Sequence, residues 1–297
     1  MTNYGSQTAE VMALFRALET LGPPAEGLFG IRTPSAFCDR RDACWPCCPA
    51  CRRSADLSCE SSIASGLARV PLLSRAHGSS TISYGRRYVT APHRWFFSAQ
   101  GFDARAYRIA EIAGARIFEV DHPATQAVKI RRVAGRIAAG PHRVAHVAVD
   151  FQRQPLDSAL RAAGLAPDVR AFVVWEGVTN YLTAPAVDAT LRAGAGSVAP
   201  GSELFFTYIH RGLLDGSTNF DGGVQILESV RNVGEPWTFG LDPGELPAYL
   251  AARGFMLLED VSADEYRAQY FGDAARAMRG YSFYRAAVAR VLVRPTL

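Results

Sequence analysis

The chain has almost no lysine. Lys129 stands alone, and every other basic residue is an arginine. Cysteine is missing outside one segment: all six lie between Cys38 and Cys59. Within it, Cys44–Cys47 and Cys48–Cys51 are both C-x-x-C pairs, but they abut, where two chelating hairpins are normally separated by a longer loop. A disulfide framework does not suit a cytoplasmic protein. No metal is therefore assigned, and a zinc- or nucleic-acid-binding module built on this segment stands as an alternative. No apolar run approaches the roughly 20 residues that cross a bilayer. The N-terminus lacks a signal-peptide pattern, with Glu10 coming early in a mixed helix. These absences predict a cytoplasmic protein without a membrane partner. No full G-x-G-x-x-G follows the first regular strand, which counts against a nicotinamide-dependent oxidoreductase.

The formal charge of +4 is unevenly spread. Residues 30–100 carry ten arginines and four acids, and the rest of the chain shows no basic stripe. Nucleic acid is therefore not expected as a partner. The same segment lacks any period of 3.6 or 2 and is rich in Cys, Ser, Arg and Pro, which argues against ordinary compact structure there.

From Gly101 the pattern is regular. Strands are predicted over Ala115–Val120, Arg143–Val149, Ala171–Trp175, Glu203–Ile209 and Met256–Asp260, with a last one inside Tyr281–Val293. Helices are predicted over Ala124–Ala138, Leu156–Ala163, Ala184–Gly194 and Ala263–Tyr270. Another starts at Asp242-Pro243-Gly244-Glu245, and His210 to Gly240 reads as loop-rich. Near the N-terminus, Thr8 to Leu21 reads as a helix stopped by Gly22-Pro23-Pro24. Alternating strands and helices specify an α/β fold: a Rossmann-like, doubly wound, mainly parallel sheet. The division predicted is an N-terminal helical cap over residues 1–93 and a core over 94–297.

In such a sheet, ligands bind outside the carboxyl ends of the strands. Glu119 and Asp121 end the first regular strand, about twenty residues beyond a Gly-Phe-Asp turn. Either carboxylate could accept two ribose hydroxyls. Asp150-Phe151 and Glu176-Gly177 end the next two strands.

The stretches GFDARAYR (from Gly101), FEVDHP (from Phe118), VDF (Val149–Phe151), WEGVTNYL (Trp175–Leu182), GEPWTFGLDP (Gly234–Pro243) and RGYSFYRAAVARV (from Arg279) together resemble the leucine carboxyl methyltransferase-like family, class I S-adenosyl-L-methionine-dependent methyltransferases common in actinobacteria. The resemblance implies an S-adenosyl-L-methionine-dependent methyltransferase acting on a carboxyl or hydroxyl group of a small molecule. It assigns Asp121 to the ribose, with Glu119 as the other candidate. It puts Asp150 and Phe151 beside the adenine and Glu176 near the methionine end. Gly101 and Asp103 are what remains of the cofactor's glycine turn. His210, Tyr208 and Tyr181, near strand ends, are candidates to line the acceptor pocket, with His210 as a general base.

Residues 30–102 depart from that family, which has a turn resembling LGAGFD where this chain reads Phe97-Ser98-Ala99-Gln100-Gly101-Phe102-Asp103. The departure reads as a frame slip. Joining the third base of each codon to the first two bases of the next, Arg94-Trp95 through Gly101-Phe102 permits VVLLGAGF. The Trp95-Phe96 junction permits only valine. One missing base near codon 30 and one extra base near codon 102 would restore the family pattern. A degenerate, inactive methyltransferase is the corresponding alternative for the chain as it stands.

Overall fold

The computed structural model describes residues 94–98, 105–108, 115–134, 143–151, 153–271 and 281–293. The predicted cap, the Cys-rich segment, Gly101 and Asp103 lie outside these residues, as does most of the stretch behind the frame-slip reading.

Seven strands form one sheet in the order β3-β2-β1-β4-β5-β7-β6. They are β1 (Arg94–Ser98), β2 (Arg116–Asp121), β3 (Arg143–Ala148), β4 (Ala171–Trp175), β5 (Glu203–Ile209), β6 (Phe255–Ser262) and β7 (Tyr284–Val291). The first five are mutually parallel, and β7 runs antiparallel between β5 and β6. The doubly wound, mainly parallel reading holds. β1 was not expected from periodicity, yet it lies inside the sheet between β2 and β4, with Trp95 paired to Ile117 on one side and Phe172 on the other. It lies inside residues 30–100, whose pattern shows no period.

The helices are α1 (Arg105–Arg108), α2 (Pro123–Val133), α3 (Leu156–Ala162), α4 (Ala184–Ser197), α5 (Gly212–Asp215), α6 (Gly223–Asn232), α7 (Leu246–Ala251) and α8 (Ala263–Phe271), with a 3-10 turn at Thr179–Tyr181. The predicted loop from His210 to Gly240 is corrected by α5 and α6. Only Ile226 and Val230, one turn apart on α6, are buried apolar anchors there, and Gly222 and Gly223 begin the helix, so the periodic signal is weak. The helix predicted over Ala124–Ala138 ends earlier, with Ala134 as its cap.

Strand alternation sorts the core onto two faces. Phe118, Val120, Val173, Trp175, Leu204 and Phe206 pack under α3, α4 and α7. Ile117, Phe172, Val174 and Phe205 face the other way, toward Ala106 of α1 and Tyr266 of α8. A third cluster caps the carboxyl end of β5, where Ile209, Leu213, Ile226, Trp237, Tyr281 and Phe283 come together.

The first face contains a small apolar cavity of about 20 Å³ beside Val173, Trp175, Leu191 and Gly194. A methyl group on Gly194 would meet no atom within 4 Å. Glycine inside a helix costs about 1 kcal/mol relative to alanine. Gly194→Ala is therefore expected to raise the thermal midpoint of unfolding, read by circular dichroism; a lowered midpoint would show that the helix is not packed as described.

Candidate functional site

The parallel strands deliver their carboxyl ends to one edge, and the acidic residues follow from that. Asp121 is the last residue of β2 and is partly exposed. Its Oδ1 accepts the His122 N–H at 2.7 Å. Its carbonyl accepts the Val149 N–H at 2.9 Å, which ties the end of β2 to that of β3. Asp150 therefore sits on the neighbouring strand end, its N–H donating to Gln154 Oε1 at 3.0 Å. Its own carbonyl accepts from Arg153 and Gln154, closing the turn before α3. Phe151 is half-buried against the first core face. Glu176 leaves β4 one residue before Gly177, whose φ of 71° is a left-handed conformation that side chains rarely adopt. The Gly177 N–H donates to Thr207 Oγ1 at 2.8 Å, joining the ends of β4 and β5. Asp121, Asp150, Phe151 and Glu176 thus line one edge of the sheet, as the sequence predicts.

Glu119 is different. It is 3% exposed and lies one turn of pleat below the edge. Oε1 meets Lys129 Nζ at 2.8 Å, and Oε2 accepts from the Tyr107 hydroxyl at 3.1 Å and lies 3.4 Å from His146 Nδ1. Burial alone would push this carboxyl's pKa up. The Lys129 charge and the hydrogen bonds from His146 and Lys129 outweigh burial, and it settles below the ordinary glutamate value. A carboxylate so engaged does not reach a ribose, which leaves Asp121 as the candidate of the two.

Tyr208 also departs from the sequence reading. Its hydroxyl donates to the Asp260 carboxylate at 2.9 Å, and Arg285 Nε donates to the Tyr208 oxygen at 3.0 Å. Arg285 Nη2 closes the group on Asp260 Oδ2 at 2.8 Å. Burial, then the Asp260 charge, raise the phenol pKa far above its usual value. Tyr208 is thus a locked cross-strand support between β5, β6 and β7. Asp260 and Arg285 gave no sequence signal, because their partner lies 52 or 77 residues away.

His210 follows β5 at the right edge, but its Nδ1 accepts the Gly212 N–H at 3.0 Å. The neutral ring must then carry its proton on Nε2, which is a donor. This geometry does not suit the general base predicted. Tyr181, half-buried in the 3-10 turn after β4, meets Trp237 edge-on at 6.3 Å. Trp237 was not singled out from the sequence. Its loop is strapped to that turn by the Thr238 N–H donating to the Asn180 carbonyl at 2.7 Å. Tyr181 and Trp237 belong to the cluster that caps the carboxyl end of β5, and His210, the residue after β5, meets Phe220 of that cluster with ring centres 5.2 Å apart.

Among the described residues no group of His, Cys, Asp and Glu is arranged to hold a metal ion. No described helix is long and apolar enough to cross a membrane.

Residues 98–195 match the model of the leucine carboxyl methyltransferase family. A Mycolicibacterium smegmatis protein named "Putative S-adenosyl-L-methionine-dependent methyltransferase" is 38% identical over 137 residues, 46% of this chain and 44% of its own length. A Mycobacterium avium protein with the same name is 39% identical over 107 residues, 36% of this chain and 34% of that protein. The chain thus spans less than half the length of the curated relatives it matches. Two solved structures share the fold. One is a DUF574 family protein from Streptomyces avermitilis, with TM-score 0.61, 13% identity, and coverage of 97% of this chain and 98% of that one. The other, titled a putative methyltransferase from Thermobifida fusca, has TM-score 0.56, 17% identity, and coverage of 98% and 96%. The family match begins at residue 98, next to the point where the sequence resemblance becomes continuous.

Proposed function

We propose, from the match of residues 98–195 to the model of the leucine carboxyl methyltransferase family, that this protein is an S-adenosyl-L-methionine-dependent methyltransferase acting on a carboxylate of a small molecule. The observation that carries the cofactor reading is the pair Asp121 and Asp150 on adjacent strand ends, tied through the Val149 N–H. Carboxylates only accept hydrogen bonds, which suits ribose hydroxyls at Asp121 and the adenine amino group at Asp150. Phe151 packs beside the base, and Glu176 offers negative charge to the methionine end. When bound, the cofactor would supply a methyl group activated on a sulfonium, for transfer to an acceptor oxygen with the neutral thioether as leaving group.

The protein's part is alignment and exclusion of water. A hydroxyl acceptor would need a base to remove its proton, whereas a carboxylate needs none. His210, with Nδ1 filled by the Gly212 N–H, suits a donor to one carboxylate oxygen while the other attacks. Turnover is therefore expected to show no solvent deuterium isotope effect on the methyl-transfer step. His210→Ala is expected to raise the acceptor KM by roughly tenfold, about one hydrogen bond to a charged group, with kcat largely kept. A clear isotope effect, or loss of kcat in that variant at saturating acceptor, would favour a hydroxyl acceptor and a base.

A further inference from the structure

The only lysine of the chain is buried, 2% exposed, on a helix that touches no substrate in the reading above. Its surroundings give it a task. Asp121, His122 and Pro123 form the turn from β2 into α2. Glu119 lies two residues before Asp121, and two side chains of α2 reach back to it. Lys129 Nζ pairs with Glu119 Oε1 at 2.8 Å. Gln126 Nε2, also buried, donates to the Glu119 backbone carbonyl at 3.1 Å. Strand and helix are thereby clasped just below the turn. Above the clasp, the Gln126 N–H donates to the His122 carbonyl at 3.0 Å, and His122 Nδ1 caps the helix by accepting the Ala124 N–H at 3.3 Å. Tyr107 joins α1 to the same point through its hydroxyl on Glu119 Oε2.

A carboxylate that must accept two adjacent hydroxyls is sensitive to displacements well under an ångström. A turn at an exposed sheet edge would not hold that position unaided. The geometry points to Glu119, Lys129 and Gln126 as positioning residues for Asp121: the clasp sets the ribose carboxylate and so tunes cofactor affinity without touching the cofactor. Glu119 thus serves the ribose site from beneath, and the sequence pair Glu119/Asp121 divides into a support and a contact. This rests on the proposed cofactor reading.

The test is a double-mutant cycle on the Kd of S-adenosylhomocysteine, measured by calorimetry at a temperature where every variant is folded by circular dichroism. Gln126→Leu removes one clasp contact at similar volume and leaves the ion pair in place. It is expected to weaken binding several-fold in the otherwise unaltered protein and to change nothing further in an Asp121→Asn background. Glu119→Gln, which lengthens the contact to Lys129, is expected to show the same dependence. The affinity loss is also expected to vanish for 5′-methylthioadenosine lacking both ribose hydroxyls, compared with its parent. A merely structural role would lower stability while leaving Kd unchanged, or would weaken binding equally in both backgrounds and for both nucleosides. Either result overturns the inference. Failure of the unaltered protein to bind S-adenosylhomocysteine would instead overturn the cofactor reading, so the two failures are distinct.

Discussion

Asp121→Ala is expected to remove cofactor binding almost entirely while leaving the fold intact. Asp121 ends β2 at the sheet edge and is partly exposed, so its loss opens no cavity. Its Oδ1 accepts the N–H of the adjacent His122, a bond that water can replace at a partly exposed turn. What disappears is an ionised acceptor for two hydroxyls. Hydrogen bonds to charged groups contribute about 1.5–3 kcal/mol each. Losing two is roughly 3 kcal/mol or more, on the order of a hundredfold or greater in Kd. Calorimetric titration with S-adenosylhomocysteine reads this directly. Asp150→Ala should cost about half as much in free energy, because one amino-group contact is lost and Phe151 remains. Equal affinity in Asp121→Ala and the parent would remove the ribose assignment.

The second large effect concerns stability. Lys129→Met is expected to destabilise the fold by about 3–5 kcal/mol, since it leaves a buried carboxylate without its counter-charge. That is a large part of the 5–15 kcal/mol typical of a domain. The pH dependence identifies the cause. In the parent, Glu119 has its pKa lowered below the ordinary value by Lys129 and His146 against the opposing effect of burial. Its contribution is thus present above the unfolded glutamate pKa of about 4.3 and is lost as pH falls through the lower folded value. In Lys129→Met, burial, the largest single influence on Glu119, is opposed by His146 without the lysine, and the folded pKa is expected to rise above the unfolded one. The sign then reverses: the deficit is greatest near neutral pH and shrinks as pH falls and Glu119 takes a proton. Chemical denaturation at several pH values measures this. Combining Glu119→Gln with Lys129→Met removes both charges and is expected to recover most of the loss. A deficit independent of pH would mean that packing of the lysine stem, not charge, is what the substitution removes.

The sequence shows a good deal of this architecture because buried parallel strands are short apolar runs bounded by turns. Ala171–Trp175 and Glu203–Ile209 appear with the bounds predicted. The acids at their ends follow from topology once the strands are placed, so the strand-end positions of Asp121, Asp150 and Glu176 were legible together. What the sequence hides is pairing across space. Glu119 and Asp121 are chemically alike and two residues apart. Only Lys129, on the following helix, and His146, on the neighbouring strand, separate the buried, ion-paired Glu119 from the partly exposed Asp121. Tyr208 sits at a strand end as expected, but Asp260 and Arg285 hold its hydroxyl. The hydrogen bond at His210 is hidden for a related reason, since the backbone N–H that fixes its tautomer belongs to a turn that periodicity does not reveal. Gly101 and Asp103 lie outside the described residues, and their place in a glycine turn stays a proposal. So does the frame slip over residues 30–102, which resequencing of the gene across codons 25–105 would test.

The most direct measurement of the account is ligand-induced stabilisation of this chain by S-adenosylhomocysteine, set against a nicotinamide dinucleotide. A ligand at a hundred times its Kd stabilises the folded state by about 2.7 kcal/mol. A methyl-donor site at this edge is expected to give a rise in thermal midpoint that grows with S-adenosylhomocysteine concentration, is absent in Asp121→Ala, and is not produced by the dinucleotide. A rise with the dinucleotide alone, or no rise with either, would contradict a methyl-donor site at the carboxyl ends of β2 and β3.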